Sequence, residues 1–224
     1  MNYRTTALRV ASVAALATLA TSAASVAGAQ AWDYPSFQQP RAVAREYNFG
    51  LADAGHAGTS VVFQWREGLS LGNQMSLDVG VADPDFGDSK FLIGGQFAHQ
   101  FATSTPDMPF DILGTIGANG AFGGGSSLLR IPVGVSIGHR FPLEGGLAIT
   151  PYVHPRLSLD VCSSCGNNGG SDSDIGLDFD IGGDFEFSRQ FSLRVSALFS
   201  GSDYLGKEDA FGVSLAWRPP GLRR

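Results

Sequence analysis

The chain has 224 residues, a formal net charge of −6, and charged side chains at only 16% of positions. That acidic balance argues against a nucleic-acid surface, which needs clustered cations; only two lysines occur, Lys90 and Lys207. No stretch after residue 31 has the roughly 20 unbroken apolar residues of a transmembrane helix, although barrel strands leave no such mark.

Taken in chain order, the first element is a targeting segment. Arg4 and Arg9 flank the start of an uncharged, apolar and small-residue stretch from Val10 to Ala29, followed by small-x-small sites at Ala27-Gly28-Ala29 and Ala29-Gln30-Ala31. This predicts a secretory signal peptide over residues 1–31, cleaved after Ala29 or Ala31. Its Ala, Ser and Thr content makes it weakly apolar for a permanent anchor. Cleavage after Ala31 leaves 193 residues, which suits one domain; two arginines and no acid are lost, so the net charge moves from −6 to −8. Residues 32–44, with Pro35, Pro40 and no alternation, are expected to form a loose periplasmic leader.

From Tyr47 onward the period is two, the period of a strand. The first strand presents Tyr47, Phe49 and Leu51; the second sets Val61, Phe63 and Trp65 against Ser60, Gln64 and Arg66; the third sets Met75, Leu77, Val79 and Val81 against Ser76 and Asp78. The fourth, about 90–101, presents Phe91, Ile93, Phe97 and Phe101. The fifth, about 109–122, sets Phe110, Ile112, Ile116 and Phe122 against Asp111, Thr115 and Asn119. The sixth sets Leu129, Ile131, Val133, Val135 and Ile137 against Arg130, Ser136 and Arg140. The seventh sets Leu147, Ile149, Val153, Leu157 and Leu159 against Tyr152, His154, Arg156 and Asp160. In the eighth, Ile175, Leu177, Phe179, Ile181, Phe185 and Phe187 oppose Asp174, Asp178, Asp180, Asp184 and Glu186. The ninth and tenth present Phe191, Leu193, Val195 and Phe199, then Phe211, Val213, Leu215 and Trp217. Segments rich in turn residues separate the runs.

Alternation alone also fits a soluble sandwich or a lipocalin-like binder of the periplasm. The charges on most strands decide against these: an apolar face turned to lipid and a polar face turned to a lumen leave no charge stranded in a dry core. The fold expected is therefore all-β, an antiparallel up-and-down transmembrane β-barrel of ten strands, with eight as the fallback, over residues 45–218; residues 219–224 form a periplasmic tail. With the N-terminus in the periplasm, the periplasmic strand ends carry Tyr47, Trp65, Phe101, Phe110, Phe141, Phe187, Phe191 and Trp217, an aromatic girdle of the kind found at a membrane interface.

The closing strand Gly212-Val213-Ser214-Leu215-Ala216-Trp217 has the glycine, hydrophobe and aromatic spacing of the C-terminal signal of outer-membrane barrels. In this, and in the strand pattern over 45–218, the chain resembles the small outer-membrane barrel families related to the OmpA and OmpX transmembrane domains. It departs from them in the seven residues, Arg218 to Arg224, that follow the terminal aromatic. The resemblance implies a cell outer-membrane location, contact with membrane lipid and lipopolysaccharide, and insertion by the barrel-assembly machinery.

Cys162 and Cys165 are the only cysteines. In an exported chain they are expected to form a disulfide in the longest external loop. Asp83 to Asp88 has acid spacing that suits calcium but lacks the glycine and final glutamate of an EF-hand loop, and reads as a solvated acidic loop. No cofactor or metal is expected. The four histidines, His56, His99, His139 and His154, stand in no H-x-S triplet, and no serine lies in a nucleophile elbow, so no enzyme activity is expected.

The lumen admits a sharper expectation. A tight turn at Ser188-Arg189-Gln190 sets Arg194 opposite Asp184 with Glu186 diagonal, and the 162–173 loop sets Arg156 opposite Asp178 or Asp180. Asp178, Asp180, Asp184, Glu186, Arg156 and Arg194 would then form one network, since facing opposite charges stabilise a strand pair and like charges do not. An eight-strand barrel is just filled by side chains, and ten strands are only slightly wider. The function expected is structural or interactive, an envelope barrel presenting external loops around a plugged, non-conducting lumen. A membrane-embedded enzyme on lipid or peptide and a soluble binder are the alternatives.

Overall fold

The computed structural model describes residues 34–70, 72–85, 87–164, 170–201 and 208–221. The proposed signal segment, Cys165, Lys207 and residues 222–224 lie outside them.

Eleven strands run in chain order: β1 (Arg45–Asp53), β2 (Thr59–Gly68), β3 (Asn73–Asp83), β4 (Lys90–Ala102), β5 (Asp111–Gly123), β6 (Ser126–Gly138), β7 (Phe141–Pro142), β8 (Ala148–Ser163), β9 (Asp172–Glu186), β10 (Phe191–Ser200) and β11 (Ala210–Trp217). The two-residue β7 only extends the edge of β8. The other ten pair antiparallel with their neighbours, β6 pairs with β8 across the β7 stub, and β1 pairs with β11 from Tyr47↔Trp217 to Asp53↔Phe211. The sheet therefore closes into a ten-strand up-and-down barrel, which leaves no unpaired edge.

Side-chain alternation gives the barrel its polarity. On β11 every second residue is buried and every other one exposed, and β8 keeps the buried alternation over sixteen residues with its other residues half-buried or exposed. The exposed set is apolar: Phe49, Leu51, Val61, Ile93, Leu157, Ile175, Leu177 and Phe211 all face outward. The buried set is polar: Glu46, Arg66, His154, Asp180, Asp184 and Arg194 face inward. An inside-out arrangement of this kind is stable only where hydrocarbon covers the outside.

The sixth strand was expected to carry Arg140. Instead β6 ends at Gly138, and Arg140 stands in the following loop with its guanidinium on Glu186, at 3.0 and 2.8 Å. A Gly124-Gly125 turn joins β5 to β6; both residues have positive φ, 59° and 75°, as a two-residue hairpin of the right twist requires.

The largest departure concerns residues 34–44. The expected loose leader is a lumenal segment: Phe37, Gln38 and Gln39 are buried, with Phe37 at 0% exposure. Read back from Arg45, its path leads from the barrel end where β1 begins and β11 finishes, the terminal end, into the bore, where Tyr34 reaches Asp78. No periodicity marks it because it belongs to no sheet; its backbone is paired by side chains of the wall. Pro35 and Pro40, which donate no backbone hydrogen bond, suit such a strandless path.

A second departure lies above that segment. The lumen is not polar throughout: Ala52, Val62, Ala82, Leu92, Ala121, Leu128 and Cys162 form an apolar cluster near the far end, joined from below by Tyr34 and Phe37. Ala54, Ala57, Leu198 and Ala210 form a second apolar cluster on the β1, β10 and β11 side of the same end. Runs such as Val61-Val62-Phe63 and Phe91-Leu92-Ile93 are apolar on both faces, so alternation does not reveal their inward member.

Candidate functional site

The site is the filled lumen, in three tiers from the terminal end upward. The lowest centres on Glu46 of β1. Its carboxylate accepts from Arg194 through both oxygens, at 2.7 and 2.6 Å, from Arg66 at 2.7 Å and from Arg218 at 2.9 Å. Arg194 also donates to Asp184 at 3.1 Å, and Arg218 to the other oxygen of Asp184 at 3.0 Å. Glu46, Asp184 and Arg194 are fully enclosed. Such charges are tolerable away from water only when each is met by several well-aligned opposite charges, and here the arginine fork supplies them.

The middle tier gathers around His154 of β8. The Ser36 hydroxyl donates to Asp180 at 2.8 Å and stands 2.8 Å from His154 Nδ1, while Thr115 Oγ1 stands 2.9 Å from Nε2. Arg156 meets the other oxygen of Asp180 at 3.1 Å. A serine, a histidine and an aspartate thus meet, yet both ring nitrogens are engaged and the ring is fully buried. These contacts fasten Ser36 of the lumenal segment to the wall. Above them Arg130 forks Asp160 across the β6–β8 pair, with Nε at 3.1 Å.

The wall also satisfies the backbone of the segment. Arg66 and Gln64 donate to the Ser36 carbonyl, Arg194 to that of Phe37, Ser136 to that of Gln38, and Gln100 to that of Pro40. Gln100 and Gln74 accept from the amides of Ala42 and Val43. Tyr34 donates to Asp78 at 2.9 Å, and Gln96 to the Gln38 side chain at 3.0 Å. A buried backbone group without a partner costs about as much as a lost hydrogen bond, so the glutamines are what let an irregular chain lie in the bore. The ring of Phe37 sits over two glycines: a Cβ on Gly50 or Gly212 would come within 2.9 or 2.6 Å of it. Between segment and wall lies a polar cavity of about 20 Å³, lined in part by Tyr34, Asp78, Arg66 and Arg156 and roomy enough for about one water.

The structure brings together most of the residues singled out from sequence, though not in a single network. Arg194 lies opposite Asp184 and bonds to it. Arg156 lies opposite Asp178 in register, but its ion pair is with Asp180. Asp178 accepts from Ser200 at 3.3 Å. Glu186 does not serve Arg194: it sits at the rim with Arg140, and with Arg218 at 3.9 Å. The place expected for it is taken by Glu46, which arrives from β1 once the barrel closes. Glu46, Arg66 and Arg218 were missed because only closure, not any hairpin, brings them beside β9 and β10. Their sequence signals were inward parity, shared with Asn48 and Gln64, and the facing of Glu46 and Arg66 across the β1–β2 hairpin.

The girdle residues Trp65, Phe101, Phe110, Phe141, Phe187, Phe191 and Trp217 are exposed at the terminal end, with Tyr47 half-buried among them. Tyr47 stacks on Trp217 at 5.5 Å, and Phe187 on Phe191 at 6.2 Å. A second aromatic row, Phe91, Phe122, Phe199 and Phe211, rings the far end. Phe91 and Phe101 lie ten residues apart on β4, about 33 Å along the strand. At the usual barrel tilt this is about 25 Å of height, the depth of an outer-membrane apolar band. Cys162 is buried and disulfide-bonded at the end of β8.

A closed antiparallel barrel with an apolar exterior between two aromatic rows and an ionic interior is a small outer-membrane β-barrel. No protein-family model and no curated protein matches the chain. Among solved structures it is similar to the β domain of the Bordetella autotransporter BrkA, at 11% identity and a TM-score of 0.44, over 78% of this chain and 98% of that one. It is similar also to the KdgM porin, at 8% identity and 0.37, over 79% and 99%, and to the NanC porin, at 7% and 0.38, over 79% and 100%. At such scores, strand number, closure and polarity rest on the pairing and burial of this chain itself.

Proposed function

We propose that the protein is a non-conducting barrel of the outer membrane, sealed by its own N-terminal segment, whose role is structural or interactive through the loops at its far end. The observation that carries this reading is the occupied bore: the segment 34–44 enters it and is held to the wall, and an apolar cluster lies above it. The exposed apolar belt supports contact with membrane lipid and lipopolysaccharide, and the β11 pattern supports insertion by the assembly machinery. The serine–histidine–aspartate meeting among the described residues is enclosed and serves as a clamp, which supports a structural role for it.

The test is electrical. The full chain in a planar bilayer should give no steady ion conductance, and a variant lacking residues 34–44 should conduct, its bore now lined by Glu46, Arg66, Asp180 and Arg194. Steady conductance from the full chain, or recovery of the protein as a soluble periplasmic monomer, would overturn the reading.

A further inference from the structure

Charge is unevenly spread along the barrel axis. At the far end the described residues include eight carboxylates, among them Asp85, Asp88 and Asp209, against the single lysine Lys90. At the terminal end carboxylates and arginines are balanced, but most of the arginines are gathered in one place. There an open pocket of about 450 Å³ lies between the exit of the lumenal segment, the β9–β10 turn and the chain after β11. Five arginines line it, Arg41, Arg45, Arg140, Arg189 and Arg218, and Glu186 is its one acid. In a chain of net charge −6 with fifteen basic residues, a third of the cations therefore share one concavity.

These arginines are not equally committed. Arg45 forks Glu67 at 2.6 and 2.7 Å, Arg140 forks Glu186, and Arg218 reaches down to Glu46 and Asp184. Arg41 stands only loosely by Asp111, at 3.6 Å and with a side chain 46% exposed. Arg189 is exposed at the tip of the β9–β10 turn and has no ion-pair partner among the described residues. Five guanidiniums around one pocket repel one another, and two of them keep most of their donors free. An anion with several oxygens relieves both conditions at once, because the planar fork matches carboxylate and phosphate alike. The volume falls within the range of about 300–1,000 Å³ usual for small-molecule sites and far exceeds what a halide ion fills.

We propose that this pocket binds a small polyvalent oxyanion, carrying carboxylate or phosphate groups, which Arg41 and Arg189 grip while Arg45, Arg140 and Arg218 supply the surrounding positive field. The site faces the end where β1 begins and β11 finishes, and it stands whether or not the bore conducts.

The folded chain in an uncharged detergent is titrated calorimetrically with pyrophosphate and, separately, with propane-1,2,3-tricarboxylate. At least one probe should bind saturably, one per chain, and about tenfold more weakly when salt is raised from low to near molar, where the screening length falls to about 3 Å. Binding of pyrophosphate alone assigns a phosphate ligand, binding of the tricarboxylate alone a carboxylate ligand, and binding of both the shared chemistry. The double variant Arg41→Ala, Arg189→Ala should lose at least about tenfold in affinity, the equivalent of one charge-assisted hydrogen bond. Lys90→Gln, which lowers the net charge by one at the opposite end, should bind as the parent does. Unheated gel migration verifies that each variant is folded. Absence of saturable heat with both probes, undiminished affinity in the double variant, or an equal loss in Lys90→Gln would overturn the site.

Discussion

Glu46 holds three guanidiniums, of which Asp184 reaches only two, Arg194 and Arg218. Removing Arg194 leaves Glu46 with Arg66 and Arg218, and Asp184 with Arg218, so the remaining cations cushion the loss. Removing Glu46 takes from Arg66 the carboxylate it pairs with and leaves Arg194 and Arg218 to share Asp184, an excess of two positive charges in an enclosed cluster. Breaking a buried ion pair costs about 3–5 kcal/mol. Arg194→Ala should therefore fall near 3 kcal/mol, and Glu46→Ala above the upper figure. The readout is the urea midpoint of the transition from fast-migrating to slow-migrating protein on unheated gels. An Arg194→Ala variant as resistant as the parent, or less resistant than Glu46→Ala, would refute this ordering. The Arg194↔Asp184 pairing itself was legible from sequence, because a turn of three residues at Ser188-Arg189-Gln190 permits one register. Glu46 was legible only in its hairpin pairing with Arg66; Arg194 and Arg218 lie 148 and 172 positions away and meet it only across the seam of the barrel.

At the scale of elements, strands and lumenal segment were unequally readable for one physical reason. A strand writes its environment into the chain with period two, so β8, β9 and β11 stand out. Residues 34–44 have no such period: their surroundings are set by side chains of strands that lie far off in sequence, as Ser136 and Arg194 do from Gln38 and Phe37. The segment depends most on Phe37, whose positive φ of 49° is uncommon for a bulky residue and whose ring fills the notch over Gly50 and Gly212. Phe37→Ala should cost about 3–5 kcal/mol, the usual figure for a buried phenylalanine. Gly212→Ala should destabilise the parent barrel, since its Cβ would meet the ring at 2.6 Å, but much less a barrel that already carries Phe37→Ala. A double-mutant cycle on the same gel assay should give a coupling of about 0.5–3 kcal/mol for such a contact pair. Additive effects would mean that glycine serves the sheet at that position rather than the segment.

At the scale of the whole molecule, closure, strand number and polarity agree with the expectation from sequence, whose fallback of eight strands is not needed: β1 meets β11 and ten strands share the ring. The apolar outside was readable because lipid-facing residues alternate with charged ones on almost every strand. The apolar cluster at the far end was hidden where both faces of a strand are apolar, as at Val62 and Leu92. A closed barrel so constructed should resist dodecyl sulfate until heated, migrating faster unheated than boiled. The chain without residues 34–44 should lose that resistance at a lower temperature while still closing, because its wall pairing is independent of the segment. Equal resistance with and without the segment would show that its contacts add nothing to stability.

The lumenal segment also bears on the speed at which the barrel forms. Barrel closure joins the two ends of the chain, and bringing distant residues together costs more entropy, and takes longer, as the loop between them grows. The segment already touches β2, β3, β4, β6, β8, β9 and β10 through Arg66, Gln74, Gln96, Ser136, His154, Asp180 and Arg194. It can therefore serve as a mandrel, holding the curling sheet to its final radius before the seam is sewn. Refolding from urea into detergent should then be slower without residues 34–44, by more than the loss of final stability alone would produce. The measurement is the time course of the fast-migrating band after dilution, compared with that of Phe37→Ala. A deletion variant that closes at the parental rate would leave the segment as a stopper added to a finished barrel.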